Sequence, residues 1–195
     1  MHGLHYALEH VARGDPLLVG EAPSAHGDPT KPLTGNVGRR LAHAAGLGFP
    51  APFLRCFGRV NLLQEFPGYA DGKGGGATFP PDEARAAART LVFELMRDAE
   101  VRARRPPRPH LILLGRRVAA AFDCDKFGEA WFIRQAVQLT VLGSLEESLG
   151  GSQFDATVVP HPSQLSRWWN DPANLARAQA FFLSLRAGPA RDAPV

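Results

Sequence analysis

The stretch Leu17-Leu-Val-Gly-Glu-Ala-Pro-Ser-Ala-His-Gly-Asp-Pro-Thr-Lys-Pro-Leu-Thr-Gly35 decides the fold of this chain. Its three apolar residues, Leu17 to Val19, predict a short buried strand, which Gly20 and Pro23 end in a polar loop. Beyond Gly35, apolar residues recur at the spacing of one helix face. A strand, a polar loop and a helix in this order form the first unit of an open α/β sheet. Ligands of such sheets bind beyond the carboxyl ends of the strands, where this loop lies.

A second stretch, Val158-Val-Pro-His-Pro-Ser-Gln-Leu-Ser-Arg167, repeats this plan near the other end of the chain. A short apolar run again leads into a loop framed by proline, which offers His, Ser and Arg side chains. Taken alone, each loop is well explained as a tight connection whose Gly and Pro only shape the backbone. Two loops of this kind indicate a shared crevice lined by polar groups.

The remaining elements follow from apolar periodicity and from breaker residues. Residues 4–12 predict a helix, and the run from Phe53 to Leu63 predicts a second strand that ends near Asn61. His110 to Gly115 is the most clearly buried strand of the chain. The pattern also predicts helices at 80–104, 116–122 and 171–185, a strand at 154–159 and an optional strand at 138–142, with 125–136 unassigned. The sequence therefore predicts an α/β protein with a mostly parallel sheet.

The bulk composition bounds the class of protein. The 195 residues predict one domain, residues 1–187, followed by a disordered tail at 188–195. A net charge of +3 permits a polyanionic partner without requiring one. Arg makes up 19 of the 22 cationic side chains, which suits the binding of phosphate oxygens, although a GC-rich coding bias explains the count equally well.

Cysteine usage and hydropathy predict the compartment. Cys56 and Cys124 are too few for a four-cysteine metal cluster, and a single pair suits a reducing cytoplasm, with one disulfide left open. The chain has no apolar run of membrane-spanning length, and its first residues lack the basic region followed by an apolar region that is typical of a signal peptide, so we expect neither feature. We therefore expect a cytoplasmic monomer without a membrane partner. The Gly-rich segment 65–77 lacks the Gly-Lys-Ser/Thr ending of a phosphate loop and predicts a flexible linker.

Two motifs carry a family resemblance. Gly20-Glu-Ala-Pro23 together with His161-Pro-Ser163 resembles the signature motifs of the uracil-DNA glycosylase superfamily. Further segments resemble that family in the same chain order, namely Ser24–Gly27, Lys31–Gly35, Val60-Asn61 and Leu113–Arg116. The cysteines of the family's iron–sulfur branch are absent.

The resemblance implies both a fold and an activity. The implied fold is a single three-layer α/β/α domain around a central, mostly parallel four-stranded sheet. The implied activity is that of a DNA glycosylase, which flips a pyrimidine out of single- or double-stranded DNA and hydrolyses its N-glycosidic bond. An abasic site remains in the DNA. No cofactor and no metal are implied.

The resemblance also assigns the catalytic roles. His161 is expected to donate a hydrogen bond to O2 of the leaving base as negative charge develops there. Glu21 matches a Glu of the iron–sulfur branch, and Asp28 lies in the same loop. Either acid could activate water or face the cationic sugar, with Glu21 preferred. The other branch uses an Asp at a position that Arg39 occupies here, which removes one candidate base.

The resemblance assigns base recognition to Asn61, whose side-chain amide offers one hydrogen-bond acceptor and two donors. Rotation of that amide would suit cytosine as well as uracil. Ala22, His26 and Leu33 are assigned to the same pocket, and Leu33 replaces the family's Phe that stacks on uracil. Contacts to DNA are assigned to Ser163, Leu165, Ser166, Arg167 and Arg116, with Leu165 as the wedge that fills the gap left by the flipped base.

Two alternatives stay open. The excised base is either uracil or a bulky 5-modified pyrimidine, such as a modified phage base removed in antiviral defence, because Leu33 leaves more room than Phe. A different class of function, a non-catalytic nucleic-acid- or nucleotide-binding α/β domain, fits the same basic loops. Release of a base from DNA distinguishes the enzyme from the binder.

Overall fold

The computed structural model describes residues 4–28, 30–70, 77–102, 108–124, 131–139, 152–163 and 166–186. Their strands form one five-stranded sheet of order β2-β1-β3-β5-β4. The strands are β1 (Leu17–Gly20), β2 (Gly58–Asn61), β3 (His110–Leu114), β4 (Arg134–Leu139) and β5 (Ser152–Val159). All neighbouring pairs are parallel except β4 with β5. The expected α/β fold with a mostly parallel sheet is confirmed, and an antiparallel fifth strand extends it at one edge.

Helices cover both faces of this sheet. They are α1 (Leu4–Ala12), α2 (Asn36–Ala44), α3 (Ala51–Cys56), α4 (Pro81–Arg102), α5 (Arg116–Ala121) and α6 (Pro172–Arg186), with a 3₁₀ turn at Arg167–Asn170. Leu17 and Val19 of β1 pack with α1, α4 and α5, whereas Leu18 packs with α2, α3 and α6. Because side chains alternate along a strand, burial on both faces produces the unbroken apolar runs seen in β1 and β3.

The segment from Phe53 to Leu63 differs from the prediction. Its first half is helix α3, and only Gly58–Asn61 forms the strand. Pro52 stands in the first helical turn, where proline is favoured. Phe53 and Phe57 are fully buried four residues apart, with ring centroids 5.5 Å apart, so the aromatic residues follow a helical spacing. The predicted end of the strand at Asn61 is confirmed.

The bounds of β4, at the edge of the sheet, also differ from those of the predicted strand. It begins at Arg134, inside the unassigned segment 125–136, and partly overlaps the optional strand at 138–142.

Several segments lie outside the described residues, among them 71–76, 103–107, 125–130, 140–151 and the predicted tail at 188–195. Cys56 is half-buried and Cys124 is buried, and no disulfide joins these two cysteines. None of the described helices is long and apolar enough to cross a bilayer.

The strand order changes direction beside β1. From β1 the chain passes to β2 on one side, and β3 is added on the other side. The connections after β1 and β3 therefore run in opposite directions, and open α/β sheets bind their ligands at the carboxyl ends of the strands beside such a point. The name crevice is used for this edge. The loop after Gly20 lies at this point.

Candidate functional site

The parallel register brings the predicted site residues to one edge of the sheet. Gly20 pairs with Asn61, Val19 with Leu113, and Leu114 with Val159. The segments that follow β2, β1, β3 and β5 therefore all start at the same level. Since neighbouring strands lie about 4.8 Å apart, the four ends span roughly 15 Å. Residues near positions 21, 61 and 161, distant in sequence, share this edge.

Asn61 lies closely against Gly20. A Cβ added to Gly20 would lie 2.6 Å from Asn61 Oδ1 and 2.9 Å from Leu33 Cδ2. Asn61 is 7% exposed, and its Oδ1 has no hydrogen-bond partner among the described residues. A buried acceptor left unsatisfied costs about 1–3 kcal/mol. This oxygen is therefore suited to accept a hydrogen bond from a ligand.

Leu33 is held in an uncommon backbone conformation beside Asn61. Its φ is 58°, in the left-handed region that non-glycine residues rarely adopt. The Arg59 guanidinium donates a buried hydrogen bond of 2.9 Å to the carbonyl oxygen of Pro32. The Leu33 carbonyl approaches Gly38 so closely that a Cβ there would lie 1.8 Å from its oxygen. These contacts keep the Leu33 side chain against Gly20, next to the unpaired amide oxygen.

Glu21 carries the acidic group of the crevice. Its side chain is 18% exposed, and Oε2 lies 3.4 Å from Nη1 of Arg117. Burial raises the pKa of Glu21, and the positive charge of Arg117 acts in the opposite direction. The Glu21 carbonyl accepts a hydrogen bond of 2.9 Å from the Leu63 N–H, which ties the loop after β1 to the loop after β2. A partly buried carboxylate of raised pKa is well suited to act as a general base.

The other predicted acid, Asp28, lies on the surface. Its carboxylate accepts hydrogen bonds from the N–H and hydroxyl of Thr30, at 2.9 and 2.6 Å, and pairs with Lys31 at 3.0 Å. Hydrogen bonds from Thr30 first, and then from Lys31, lower the pKa of Asp28 to about 2. Asp28 therefore stabilises its own turn. Between the two acids, the geometry favours Glu21.

The other loop residues assigned to the base pocket differ in exposure. His26 is exposed in a turn closed by a 2.9 Å hydrogen bond from the Gly27 N–H to the Ser24 carbonyl. Ala22 is half-buried and packs against the core on the face of α1, α4 and α5. Of the residues assigned to the base, Asn61 and Leu33 both lie against Gly20. His26 is exposed.

His161 lies directly after β5, against Gly115 at the end of β3. A Cβ on Gly115 would lie 3.0 Å from His161 Cβ and 3.5 Å from Cδ2. Gly115 has a φ of 99°, which favours glycine at this close approach. Burial and, secondly, the charge of Arg117 lower the pKa of His161 to about 4. The imidazole is therefore neutral at pH 7, with one N–H donor and one acceptor nitrogen.

The loop that carries His161 is fixed from several sides. The indole N–H of Trp169 donates to the Pro160 carbonyl at 3.1 Å, and Arg40 of α2 donates to the Ser163 carbonyl at 2.7 Å. The Gly115 N–H donates to the Val159 carbonyl at 2.7 Å. Trp169 is buried in the core formed with α2 and α6. These contacts fix the backbone at Pro160 and Ser163, on either side of His161.

The residues assigned to DNA contact occupy the surroundings of this loop. Ser163 and Ser166 are half-buried, and Arg167 is exposed at the start of the 3₁₀ turn. Leu165, the assigned wedge, lies outside the described residues. Arg116 is exposed, with its guanidinium carbon 5.5 Å from the ring centre of Trp131. The exposed arginines are available to a polyanion.

Arg117 is the site residue that the sequence analysis missed. It pairs with Glu21, donates a 3.0 Å hydrogen bond to the Ala77 carbonyl, and lies 4.9 Å from the ring centre of Phe79. The sequence signal was the pair Arg116-Arg117 directly after a strand. Neighbouring helical residues point in different directions, so the rotation of α5 decides which arginine faces the crevice.

A separate cleft of about 240 Å³ lies at the amino ends of β1 and β3, away from this edge. Asp15 within it pairs with His10 at 2.9 Å and with Arg13 at 3.1 Å. Arg134, which also lines the cleft, pairs with Asp155. These charges are already compensated within the protein, and the cleft contains none of the predicted site residues.

The carboxyl edge thus combines a buried amide acceptor, a half-buried carboxylate and a neutral imidazole. Such a set can bind a planar polar ring and can stabilise opposite charges that develop as a bond breaks. No protein-family model and no curated protein matches this chain. The functional conclusion therefore depends on the site itself.

Proposed function

We propose that this protein is a DNA glycosylase of the uracil-DNA glycosylase type, with the three-layer fold that this implies. It flips a pyrimidine out of DNA and hydrolyses the bond between the base and the sugar. The observation that carries the proposal is the buried Oδ1 of Asn61, which has no hydrogen-bond partner in the part of the chain that the structure describes. This acceptor belongs to the same sheet edge as Glu21 and the neutral His161.

Recognition begins with Asn61. Its partnerless oxygen gains a hydrogen bond when a base presents an N–H group, which pyrimidines carry on their Watson–Crick edge. Leu33, packed against Gly20 beside that oxygen, offers an aliphatic surface to the ring. A ligand without the N–H leaves the buried acceptor unsatisfied and is therefore disfavoured.

Bond cleavage then develops negative charge on the base. The electron pair of the N-glycosidic bond moves into the pyrimidine and is shared by its O2. A neutral His161 donates its N–H to that oxygen without the energetic cost of burying an imidazolium. Its pKa of about 4 keeps it neutral throughout the physiological range. Removing such a donor costs about 10²–10³ in rate.

Glu21 serves the sugar side of the reaction. Its ionised carboxylate stabilises positive charge at C1′ and accepts a proton from the water that adds there. The water oxygen forms the new bond to C1′, and the proton passes on to the departing base, which leaves an abasic site. General base catalysis of this kind contributes about 10²–10⁴ in rate.

The substrate class is uracil or a 5-modified pyrimidine in DNA. An aliphatic Leu33 stacks less strongly than an aromatic residue and leaves more space around the ring. Exposed Arg116 and Arg167 supply positive charge for the phosphates. Affinity for DNA should accordingly fall as salt rises, because each neutralised phosphate releases counterions.

The proposal is tested with synthetic DNA. Single- and double-stranded oligonucleotides containing uracil or candidate 5-modified pyrimidines are incubated with the protein and then with hot alkali, which cuts at abasic sites. Mass spectrometry identifies the released base. His161→Ala should reduce release about 10²–10³-fold while DNA binding persists.

A matched pair of variants separates the two acids. Glu21→Gln should lose at least about 100-fold in base release, whereas Asp28→Asn should stay within about threefold of wild type. DNA binding without release of any base would favour the non-catalytic binder. Wild-type rates in both His161→Ala and Glu21→Gln would also contradict the proposed mechanism.

A further inference from the structure

The guanidinium of Arg117 joins separate parts of the crevice through its two amino groups. Nη1 lies 3.4 Å from Glu21 Oε2, and Nη2 donates a 3.0 Å hydrogen bond to the Ala77 carbonyl. Its carbon lies over the Phe79 ring, 4.9 Å from the ring centre. A planar fork can make these contacts at once, whereas a lysine ammonium cannot.

Resting on the proposed function, we infer that Arg117 is a positioning residue. It links the polypeptide around Ala77 and Phe79 to Glu21, and so holds the Glu21 carboxylate charged and correctly oriented at the crevice. Arg117 does not itself react with the sugar or the base. Its contribution passes through Glu21 and, by its charge, through His161.

The partner of Nη2 is held in place by its own hydrogen bonds. Ala77 bridges to Tyr69 in an antiparallel pairing. The N–H of Thr78 donates to the Gly68 carbonyl at 2.9 Å, and its hydroxyl donates to the Pro67 carbonyl at 2.7 Å. The Ala77 carbonyl is therefore a fixed acceptor, and it fixes the guanidinium in turn.

The positive charge of Arg117 acts to lower the pKa of both Glu21 and His161. The charge of Arg117 opposes the rise that burial causes in the pKa of Glu21, and it adds to the lowering of the pKa of His161. Arg117 is the charged side chain that acts on both groups within the described residues. Neighbouring Arg116 instead stacks on Trp131. Loss of the Arg117 charge should raise the pKa of Glu21 and of His161.

Two substitutions separate charge from geometry. Arg117→Gln removes the charge and leaves a shorter, neutral polar side chain, whereas Arg117→Lys keeps the charge and loses the planar fork. Arg116→Gln is the matched control for the pKa of Glu21 alone, because it removes the same charge one residue earlier on the same helix. Its kcat and KM are not used for comparison, since Arg116 is assigned to DNA contact. Base release is followed from pH 4 to 9, with kcat and KM measured separately.

Arg117→Gln should lower kcat about tenfold at neutral pH with less than about a threefold change in KM. Its acid limb should move to higher pH, since Glu21 must be ionised to act. Arg117→Lys should restore the position of the acid limb and only part of kcat. Arg116→Gln should leave the acid limb where it is in the wild type.

A second measurement does not depend on activity. In protein labelled with carbon-13 at the glutamate side chains, NMR titration without DNA follows the Glu21 carboxyl group directly. Its pKa should rise in Arg117→Gln and stay close to wild type in Arg117→Lys, with thermal melting confirming that both variants are folded. An unchanged Glu21 titration in folded Arg117→Gln overturns the inference.

The two proposals fail in different ways. If the wild type releases no base from any DNA while Glu21 responds to Arg117→Gln, the glycosylase proposal is wrong and the electrostatic link stands. If bases are released and neither the acid limb nor the Glu21 titration moves, the glycosylase proposal stands and the positioning role is wrong.

Discussion

Replacing Gly20 by Ala tests whether the placement of Asn61 controls the reaction. The new Cβ would lie 2.6 Å from Asn61 Oδ1 and 2.9 Å from Leu33 Cδ2. A carbon and an oxygen normally stay at least about 3.3 Å apart, so the amide oxygen must retreat by about 0.7 Å. A misplacement of about 1 Å can cost roughly 100-fold in rate. We therefore expect kcat/KM for base release to fall about 10- to 100-fold.

The accompanying loss of stability should be modest. Both obstructing atoms belong to side chains, and overpacking of this kind costs about 1–3 kcal/mol. Single-turnover base release gives the rate, and urea unfolding gives the free energy of unfolding. Gly35→Ala is the control, because its added Cβ meets no atom within 4 Å. It should keep kcat/KM within about twofold and lose only the small preference for glycine at a helix N-cap, up to about 1 kcal/mol.

A double mutant makes the reasoning refutable. If Gly20→Ala acts through the amide, then Asn61→Ala should show a similar loss, and combining the two should add little. Fully additive losses would mean that the methyl group acts elsewhere. Wild-type kcat/KM in folded Gly20→Ala would refute the role of this amide oxygen.

Three further perturbations follow from the geometry. The pKa values of His110 and His161 are about 4 in the folded protein against 6.5 as the ordinary value, so the unfolded chain binds more protons between these limits. The free energy of unfolding should therefore fall by about 2 kcal/mol per histidine from pH 7 to pH 5, as measured by urea titration. The His110→Gln variant should show a smaller pH dependence of this free energy. A free energy of unfolding that does not change with pH would contradict the prediction. Gly115→Ala forces an alanine into a φ of 99° and a 3.0 Å contact with His161. The rate of base release should therefore fall about tenfold or more while DNA affinity changes little. Equal losses of rate and affinity would argue against a displaced histidine. Arg40→Met removes the 2.7 Å hydrogen bond to the Ser163 carbonyl and should lower the free energy of unfolding by about 1–3 kcal/mol, whereas an unchanged melting temperature would show that the loop holds without it.

The sequence alone predicts those helices and strands that are marked by residues within the element or directly beside it. The apolar runs in β1 and β3 are bounded by breaker residues, and helices α2, α4 and α6 follow the helical period, so their existence could be predicted. The segment from Phe53 to Leu63 could not be divided from sequence, because aromatic residues suit strands and buried helices alike. Strand β4 was predicted only in part, because its last residues fall in the optional strand at 138–142 and its first residues in the unassigned segment 125–136. Its pairing with β5 is set by the tertiary partner rather than by its own apolar pattern.

The sequence by itself named the candidate groups Glu21, Asn61 and His161 through the resemblance of their motifs to those of the uracil-DNA glycosylase superfamily. Flanking Gly and Pro residues marked the loops of Glu21 and His161. Only the tertiary structure decided that these groups follow strands ending at one edge of the sheet, that Glu21 is half-buried whereas Asp28 lies on the surface, and that Arg117 rather than Arg116 lies beside Glu21. The reason is physical. Burial and through-space charge set the pKa and the orientation of a side chain, and both depend on residues that are distant along the chain.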